Sequence, residues 1–375
     1  MDTSSEAIHS LLPLFLVSTL GASALSVGLV EGVAEATALI TRTFSGALSD
    51  RLGKRKALAV AGYGLAAASK PLFAIAGSVG AVLGARFVDR IGKGVRGAPR
   101  DALVADITPS ASRGAAFGLR QSMDTVGAVL GPALAMALMA TAAASFRTVF
   151  WLAAIPAAAA VVVLVAGVRE PRCEIESPSR FPLRRRELAS LPRAYWLVTG
   201  VAAVFTLARF SEAFILLQAD EVGLTPRLIP LVLLVLNVAY AATAYPVGRL
   251  SDRVGRWKLL GAGLVALIAS DLVLAFAGRP LEVAFGAALW GLHMGLTQGL
   301  LAALVSDTAG ARLRGTAYGV FSLLGGVAML IASVAAGALW QTWGPAATFL
   351  TGAAITTLAL AGFAWLAARR RSGRA

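Results

Sequence analysis

The chain has 375 residues, of which 57% are hydrophobic and 14% charged, and its mean hydropathy is +0.75. A water-soluble domain needs far more polar surface than this, so a soluble globule is excluded. A helix crosses the hydrocarbon core of a bilayer with about 20 mostly apolar residues. The chain therefore has room for roughly a dozen membrane-spanning helices joined by short connections.

The formal net charge is +14, and the positions of the basic residues decide what this charge means. The alternate connections between apolar runs are nearly bare of Lys and Arg, and the basic groups lie in the others. These groups fall at 51–56, 169–193, 253–258, 312–314 and 369–374. The alternation follows the positive-inside rule and predicts a multi-pass protein of the cell inner (plasma) membrane with a cytoplasmic C-terminus. A nucleic-acid-binding surface would need these charges on one soluble face, so we expect no nucleic acid partner.

The apolar runs predict a short first segment followed by eleven spans. The first segment is 8–20, and the spans are 26–50, 57–77, 79–105, 114–142, 148–168, 195–219, 228–250, 258–277, 281–306, 315–339 and 346–367. The hydrophilic stretch 169–194 is rich in Pro and charge, which is typical of a linker. We expect a cytoplasmic linker here, between an N-terminal bundle (1–168) and a C-terminal bundle (195–375) with a short basic tail.

Two sequence stretches occur twice at nearly the same spacing. Gly46–Lys56 (GALSDRLGKRK) matches Gly248–Lys258 (GRLSDRVGRWK) at an offset of 202. Asp101–Gly118 (DALVAD, then RGAAFG) matches Ala302–Gly319 (AALVSD, then RGTAYG) at an offset of 201. The halves are therefore an internal duplication of about six helices, which is typical of transporters whose site lies between the repeats.

A third match indicates that the first helix is incomplete. Ser5-Glu6-Ala7-Ile8 matches Ser211-Glu212-Ala213-Phe214, yet four residues precede the first copy while 16 residues of the predicted span precede the second. The run 8–20 is too short to cross a bilayer. We predict that Met1 is an internal or misassigned start, or that this form is truncated; a short re-entrant first segment is the alternative.

The repeated loops resemble the major facilitator superfamily, and the resemblance covers essentially the whole chain. The first copy of the family pattern G-x-x-x-D-R-x-G-[RK]-[RK] is Gly46, Asp50, Arg51, Gly53, Lys54 and Arg55. The second copy is Gly248, Asp252, Arg253, Gly255 and Arg256, and Trp257 departs from the pattern. The resemblance implies an all-α integral membrane fold of two six-helix bundles, with the Asp–Arg pairs acting as a gate between the halves.

A weaker match points to export. Exporters of this superfamily carry glycines that end in G-x-x-x-G-P within helix 5, and Gly127, Gly131 and Pro132 fit that pattern. Leu134-Ala135 replaces the glycine pair that follows in those exporters. Small residues at this spacing are also an ordinary device for helix packing, so the structural interpretation stays open.

Charged residues within the predicted spans are the main functional signal, because an ionisable group in hydrocarbon is expensive unless it is paired or serves a pathway. The resemblance implies that helices 1, 4, 7 and 10 line a central cavity. Glu31, Glu35, Glu212 and Asp124 are candidates for proton coupling or cation binding; structural ion pairs such as Arg209–Glu212 and Arg120–Asp124 are the alternative. The full set of transport candidates is Glu6, Glu31, Glu35, Arg86, Asp89, Arg90, Arg120, Asp124, Arg209, Glu212 and His293.

Three further residues carry structural expectations. Lys70 is expected to snorkel along its stem or to pair with a carboxylate. Asp271 is expected to be paired or to lie at the membrane boundary. His293 is expected to be mainly a packing or hydrogen-bonding residue, and it does not make a metal site together with His9.

These observations predict a secondary active transporter that works by alternating access. We expect proton-coupled efflux of a small drug-like molecule or metal cation, with uptake of a small metabolite or anion as the alternative. An integral-membrane enzyme is the remote alternative, because no His or Cys accompanies the dense stretch Pro99–Asp101. The sequence lacks a P-loop and has one cysteine, Cys173, so we expect no ATP, metal or other cofactor. We also expect a monomer in the lipid bilayer, whose partners are its substrate and protons.

Overall fold

The computed structural model describes residues 1–52, 54–109, 112–141, 145–169, 188–254, 256–308 and 314–371. These ranges contain helices and no strand, as the sequence predicts. The chain divides into two compact units. One comprises Met1–Ala22 and Val33–Pro182, and the other comprises Ser23–Gly32 and Leu183–Ala375, so the first turns of the second helix belong to the second unit.

The first half of the chain forms six helical segments. The helices are α1 (Asp2–His9), α2 (Ala24–Leu52), α3 (Arg55–Ile75), α4 (Val79–Ile107), α5 (Arg113–Met139) and α6 (Phe146–Gly167). A helical turn at Leu12–Leu14 and a wider π-helical turn at Phe15–Thr19 continue α1. Pro13 within this stretch removes a backbone donor, which explains why α1 does not run on as one regular helix.

The second half repeats this order. It contains α7a (Arg193–Ala208), α7b (Ala213–Glu221), α8 (Pro230–Val254), α9 (Arg256–Ala275), α10 (Pro280–Thr308), α11 (Arg314–Trp343) and α12 (Pro345–Arg371). Nine helices of the described ranges are long and apolar enough to cross a membrane. The predicted spans correspond to the helices in order, and residues 170–187 of the predicted linker 169–194 lie outside the described residues.

The seventh span differs from its prediction, because it is two helices rather than one. The helix stops after Ala208 and resumes at Ala213. Side chains satisfy the backbone in the break: the Ser211 N–H donates to Ser333 Oγ at 3.3 Å, and the Ala213 N–H donates to Ser211 Oγ at 3.2 Å. Hydropathy does not detect such a break, since apolar residues continue on both sides of it.

Glycines bring helices into close contact, and the contacts occur in both halves. A Cβ added to Gly94 on α4 would lie 2.6 Å from Thr41 Cβ on α2. A Cβ added to Gly295 on α10 would lie 2.9 Å from Thr243 Cβ on α8. These two pairs are related by the same offsets of 201 and 202 that relate the loop motifs. The internal repeat predicted from the sequence is therefore also a repeat of helix contacts.

We expect Gly92→Ala to destabilise the protein and Gly84→Ala, on the same helix, to leave it unharmed. A Cβ on Gly92 would lie 2.7 Å from the Gly62 carbonyl oxygen and 2.8 Å from the Ala66 nitrogen, whereas nothing lies within 4 Å at Gly84. Forced separation of packed helices costs about 1–3 kcal/mol. Thermal unfolding in detergent should show a lower midpoint for Gly92→Ala only; equal midpoints would contradict the close contact of α3 and α4.

Candidate functional site

Helix α4 carries buried charged side chains through the centre of the first unit. Arg86, Asp89, Arg90 and Arg96 are each between 1% and 4% exposed. A charge on a membrane-embedded helix is costly, by about 2.5–3.5 kcal/mol on insertion scales, unless neighbouring groups compensate it. The helices around α4 supply that compensation, so the charges form a connected layer across α1, α2, α3 and α4.

An ion pair between α3 and α4 lies at the centre of this layer. Lys70 Nζ lies 2.6 Å from Asp89 Oδ1 and donates a second hydrogen bond to Ser5 Oγ at 2.9 Å. Ser69 Oγ donates to the same Asp89 oxygen at 3.3 Å. Both charged side chains are almost fully buried. The pair therefore joins α1, α3 and α4, which confirms the expectation that Lys70 pairs with a carboxylate.

Two arginines continue the layer toward α1 and α2. Arg90 lies 3.3 Å from Glu35 on α2 and 3.9 Å from Asp89. Arg86 donates to His9 Nδ1 at 3.2 Å. Because a guanidinium can only donate, this contact places the His9 proton on Nε2. His9 is 7% exposed, and its Nε2 has no hydrogen-bond partner among the described residues.

Arg96 connects the layer to the start of the chain and to α3. Its guanidinium lies 2.9 Å from Asp2 Oδ1 and 4.7 Å from the centre of the Tyr63 ring. The face of an aromatic ring attracts a cation, so Tyr63 adds to the stabilisation of this charge. The contact also fixes α1 against α4.

A second network lies about one helical turn further along α4 and is half-buried. Arg100 lies 3.3 Å from Asp124 on α5, and Arg120 lies 2.9 Å from Asp124 and 3.4 Å from Asp101. Arg42 on α2 reaches Asp101 at 3.5 Å. Asp124 and Arg120 are thus members of a network of ion pairs, as the structural alternative for these residues proposed.

Two charged residues of this region, Lys93 and Glu6, remain without an ion pair or hydrogen bond among the described residues. Lys93 follows Arg86 and Arg90 by seven and three positions, so it lies on the same packed face of α4, yet its side chain is exposed. It interacts electrostatically with Glu6 and Glu35. Glu6 is half-buried, and its electrostatic partners include Lys93 and Arg90. The helices α1 and α4 therefore each carry one partly accessible charge here, negative at Glu6 and positive at Lys93.

The helix-5 pattern brings α5 against α1. A Cβ on Gly131 would lie 2.5 Å from Glu6 Cβ, and one on Gly127 would lie 3.0 Å from Asp2 Cβ. Pro132 lies within α5 directly after Gly131. The two glycines allow the close approach that holds Glu6 beside the layer.

The loop motifs are described only in part. Gly46 packs on α4, since its added Cβ would lie 3.4 Å from Ala98 Cβ, and Arg55 forms an ion pair with Asp106 at the end of α4. Lys54 is exposed, as is Gly248 in the second copy. The remaining gate residues lie outside the described residues or side chains; they are Asp50, Arg51, Gly53, Asp252, Arg253, Gly255 and Arg256.

The candidate site residues of the second unit lie on different helices, Glu31 on α2 and Arg209 and Glu212 in α7. Glu31 is fully buried on the part of α2 that packs on α11, where Gly28 and Gly32 approach Ser333 and Leu330. Arg209 and Glu212 both lie in the break of α7. The Arg209 guanidinium lies 5.9 Å from the centre of the Phe205 ring.

His293 on α10 behaves as a packing and hydrogen-bonding residue. Its Nδ1 lies 2.8 Å from the Gly263 carbonyl oxygen, so Nδ1 donates. The ring packs against Phe205 at 5.4 Å and Trp290 at 6.4 Å between centres, and the residue is fully buried. Among the described residues no group of three or more His, Cys, Asp or Glu could hold a metal ion.

Asp271 on α9 differs from its expectation. It is fully buried rather than at a boundary, and neither carboxylate oxygen has a hydrogen-bond partner among the described residues. A Cβ on Gly352 of α12 would lie 2.8 Å from Asp271 Oδ2. The repeat could have directed attention to Asp271, because it occupies the position that corresponds to Lys70 at the offset of 201.

Sequence reasoning also did not assign a site role to His9, Lys93 or Tyr63. His9 lies three residues after Glu6, so both side chains fall on one face of α1. That spacing was a usable signal. The cation–π contact of Tyr63 with Arg96 depends on the register of α3 against α4, which the sequence does not display.

The described ranges contain two repeated halves of helices, nine of them suited to cross a bilayer and one, α4, carrying a layer of compensated charge. This arrangement defines a multi-pass membrane protein of the transporter type. The chain belongs to the Major Facilitator Superfamily, whose family model matches residues 1–217 and 200–375. It therefore belongs to a family of small-molecule transporters, not of enzymes.

Several known proteins are similar to it. An uncharacterised MFS-type transporter of Methanocaldococcus jannaschii is 33% identical over 365 residues, which cover 95% of this chain and 89% of that protein. The quinolone resistance protein NorA of Staphylococcus aureus is 24% identical over 222 residues, covering 58% and 55%. The crystal structure of the nucleoside transporter NupG aligns with a TM-score of 0.74 at 12% identity, covering 97% and 96%, which shows a shared fold.

A double-mutant cycle should show that Lys70 and Asp89 stabilise the protein as a pair. Removal of one partner leaves an uncompensated buried charge, so Lys70→Met or Asp89→Asn alone should cost about 3–5 kcal/mol. The double variant should be less destabilised than the sum of the two, and unfolding midpoints measure this directly. Additive effects would mean that the two charges are stabilised separately.

Asp271→Asn should behave in the opposite way from Asp89→Asn. No described residue forms an ion pair or hydrogen bond with the buried Asp271 carboxyl group, so the change to an amide removes no such interaction. We expect an unfolding midpoint equal to or above that of the unmodified protein, measured in the same detergent. A drop as large as that of Asp89→Asn would show that Asp271 has a partner.

Proposed function

We propose that the protein exports a small organic molecule in exchange for protons, by alternating access of a site near the membrane midplane. The charged layer of α4 is the observation that carries this proposal. Membrane-embedded charges are expensive, and where they gather on one packed face they mark substrate and ion pathways. The accessible pair Lys93 and Glu6 gives this face groups that a solute can reach.

An organic solute fits better than a metal ion. No described residues form a group of three or more metal-ligating side chains, and the acids near α4 are matched by basic residues. Divalent cations need several oxygen or nitrogen ligands in one place, without competing cations. An organic molecule can use one charged contact and apolar surface together.

Export is supported by the helix-5 pattern and by one relative. Gly127, Gly131 and Pro132 match the pattern found in exporters, and the glycines pack α5 closely on α1. The similarity to the quinolone resistance protein extends over 222 residues. Uptake of an anionic metabolite is the second candidate, because basic residues of α4 outnumber its acids in the buried layer.

The positive-inside pattern supports an inner-membrane protein with its C-terminus in the cytoplasm.

Glu212 is the proposed proton-coupling residue. It lies in the break of α7, where regular helical hydrogen bonding is interrupted, and it is half-buried. Broken helices of transporters commonly form the sites of coupling ions near the midplane. Glu35 and Asp124 form ion pairs with arginines. Glu31 remains a candidate on the buried part of α2.

The direction of transport can be measured in inside-out membrane vesicles whose lumen has been acidified. Quinolones, hydrophobic amines, divalent metal ions and organic anions are added in turn while a pH-sensitive dye reports the gradient. An exporter that exchanges protons should collapse the gradient when the compound is outside the vesicle. A proton-coupled importer should do so only when the compound is loaded inside. No response from either side, with folded protein present, contradicts proton coupling.

Glu212→Gln should abolish proton-driven transport and retain exchange of substrate between the two sides. The amide keeps the shape of the side chain and cannot carry a proton, so only the coupled step is lost. Glu221→Gln is the matched control, because Glu221 ends α7b and is exposed. Counterflow of labelled substrate in proteoliposomes, with and without a pH gradient, separates the two activities. Intact gradient-driven transport in Glu212→Gln would remove Glu212 from the coupling role.

A further inference from the structure

The accessible charges of α1 and α4, which are Glu6 and Lys93, restrict the chemical class of the substrate. Lys93 lies on the face of α4 that also carries Arg86 and Arg90. Arg86 donates a hydrogen bond to His9, and Arg90 forms an ion pair with Glu35. Lys93 is the member of this stripe whose side chain is exposed. The outer side of the same helix is apolar, with Phe87 44% exposed. The exposure of Lys93 therefore arises on the packed side of α4 and not on its lipid side.

Glu6 faces the same region from α1. Gly131 lets α5 approach α1 closely at Glu6, since a Cβ added to Gly131 would lie 2.5 Å from Glu6 Cβ. Lys93 and Glu6 interact electrostatically, yet within the described part of the chain they form no ion pair and no hydrogen bond. Two opposite charges that could lower their energy by pairing are instead held apart on one face.

His9 adds a donor to this arrangement. Arg86 fixes its tautomer, so that the buried Nε2 carries the proton and has no partner in the described ranges. A buried N–H without an acceptor costs free energy. His9 and Glu6 are three residues apart on α1 and share one face of that helix.

Each of the two accessible charges has charged neighbours of both signs. Lys93 interacts electrostatically with Arg90, Glu35, Glu6 and Arg96, and an anion bound at Lys93 alone would leave Glu6 without a partner charge. Glu6 interacts with Lys93, Arg90, Asp2 and Arg86, and a cation bound at Glu6 alone would leave Lys93 without one. A molecule that carries both charges pairs with both accessible groups.

We infer that the substrate is a small zwitterion, with an ammonium group bound by Glu6 and a carboxylate bound by Lys93. Free amino acids and short peptides have this chemistry. The inference rests on the proposed transporter function and narrows its substrate class. Glu35 and Arg90 position the site, because their ion pair places a carboxylate and a guanidinium beside Lys93.

Binding to the full chain in lipid nanodiscs tests this inference without a transport assay. Thermal unfolding is measured with a pool of free amino acids and a pool of dipeptides. Parallel pools carry either an acetylated amino group, which removes the cation, or an amidated carboxyl group, which removes the anion. We expect a higher midpoint with at least one unmodified pool and little change with its modified counterparts. Equal stabilisation by a modified pool, or none by either unmodified pool, overturns the inference.

Two variants then assign the two charges. Glu6→Gln should weaken binding of the most effective zwitterion by about 10–100-fold and shift the preference toward the acetylated compound. Lys93→Gln should weaken it to a similar extent and shift the preference toward the amidated compound. Glu221→Gln and Lys258→Gln, both exposed and outside this face, are matched controls that should leave the affinity unchanged. Parallel losses without opposite shifts in preference would contradict the assignment of the two charges.

This binding experiment and the vesicle experiment fail independently. If no zwitterion binds while another compound collapses the proton gradient, the exchange function stands and the substrate class is wrong. If zwitterions bind with the expected preferences and neither they nor other compounds collapse the gradient, the site stands and proton exchange is wrong.

Discussion

The first unit depends on how α4 can hold charges inside a membrane. An isolated Asp89 or Arg90 would make insertion of this helix unfavourable by several kcal/mol. The Lys70–Asp89 ion pair, with hydrogen bonds from Ser69 to Asp89 and from Lys70 to Ser5, removes most of that cost for the acid. Since the partners come from α1 and α3, the charges of α4 are stable only when these helices have assembled. The buried charges of α4 and the packing of α1 and α3 against this helix therefore stabilise one another.

Close helix contacts make this assembly possible. Gly62 and Gly92 bring the backbones of α3 and α4 together, and an added Cβ at either would lie within 2.8 Å of the opposite helix. Lys70 and Asp89 lie one to two turns from this contact and can reach each other without long side-chain extension. At the far end of the helices Arg55 and Asp106 form a further ion pair. Backbone proximity and charge pairing thus act on the same helix interface.

The sequence predicted the order and approximate bounds of the helices, because the thickness of the hydrocarbon core demands long apolar runs whatever the fold. It also predicted the internal repeat, and it named Arg86, Asp89 and Arg90 of α4 among the candidate site residues. It could not assign Asp89 to Lys70, or Arg90 to Glu35, since such pairs depend on the register between helices. The break at Arg209–Glu212 was missed for a related reason: Ser333, which satisfies the backbone there, is far away in the chain, at a separation of 122 residues from Ser211.

The repeat supplies an internal control for the meaning of the charged layer. The contact of Gly62 with Arg96 in the first unit corresponds to that of Gly263 with Thr297 in the second, at the offset of 201. The helices of both units therefore approach each other at the same glycine position. At the same offset, Arg86, Asp89, Arg90, Lys93 and Arg96 of α4 correspond to uncharged residues of α10; these are Ala287, Trp290, Gly291, Met294 and Thr297.

A fold that forms around uncharged residues in one unit does not require charges at the same positions in the other. Structural need alone thus gives a weak account of Arg86, Asp89, Arg90, Lys93 and Arg96. Asp271 of the second unit corresponds to Lys70 of the first. The residue that corresponds to Asp89 is Trp290, so the second unit has no equivalent of the Lys70–Asp89 ion pair, and no described residue pairs with Asp271. The charged layer of α4 requires the burial of charges in the membrane, and α10 carries no charges at the same positions. The difference between the units is what solute recognition by the first unit would explain.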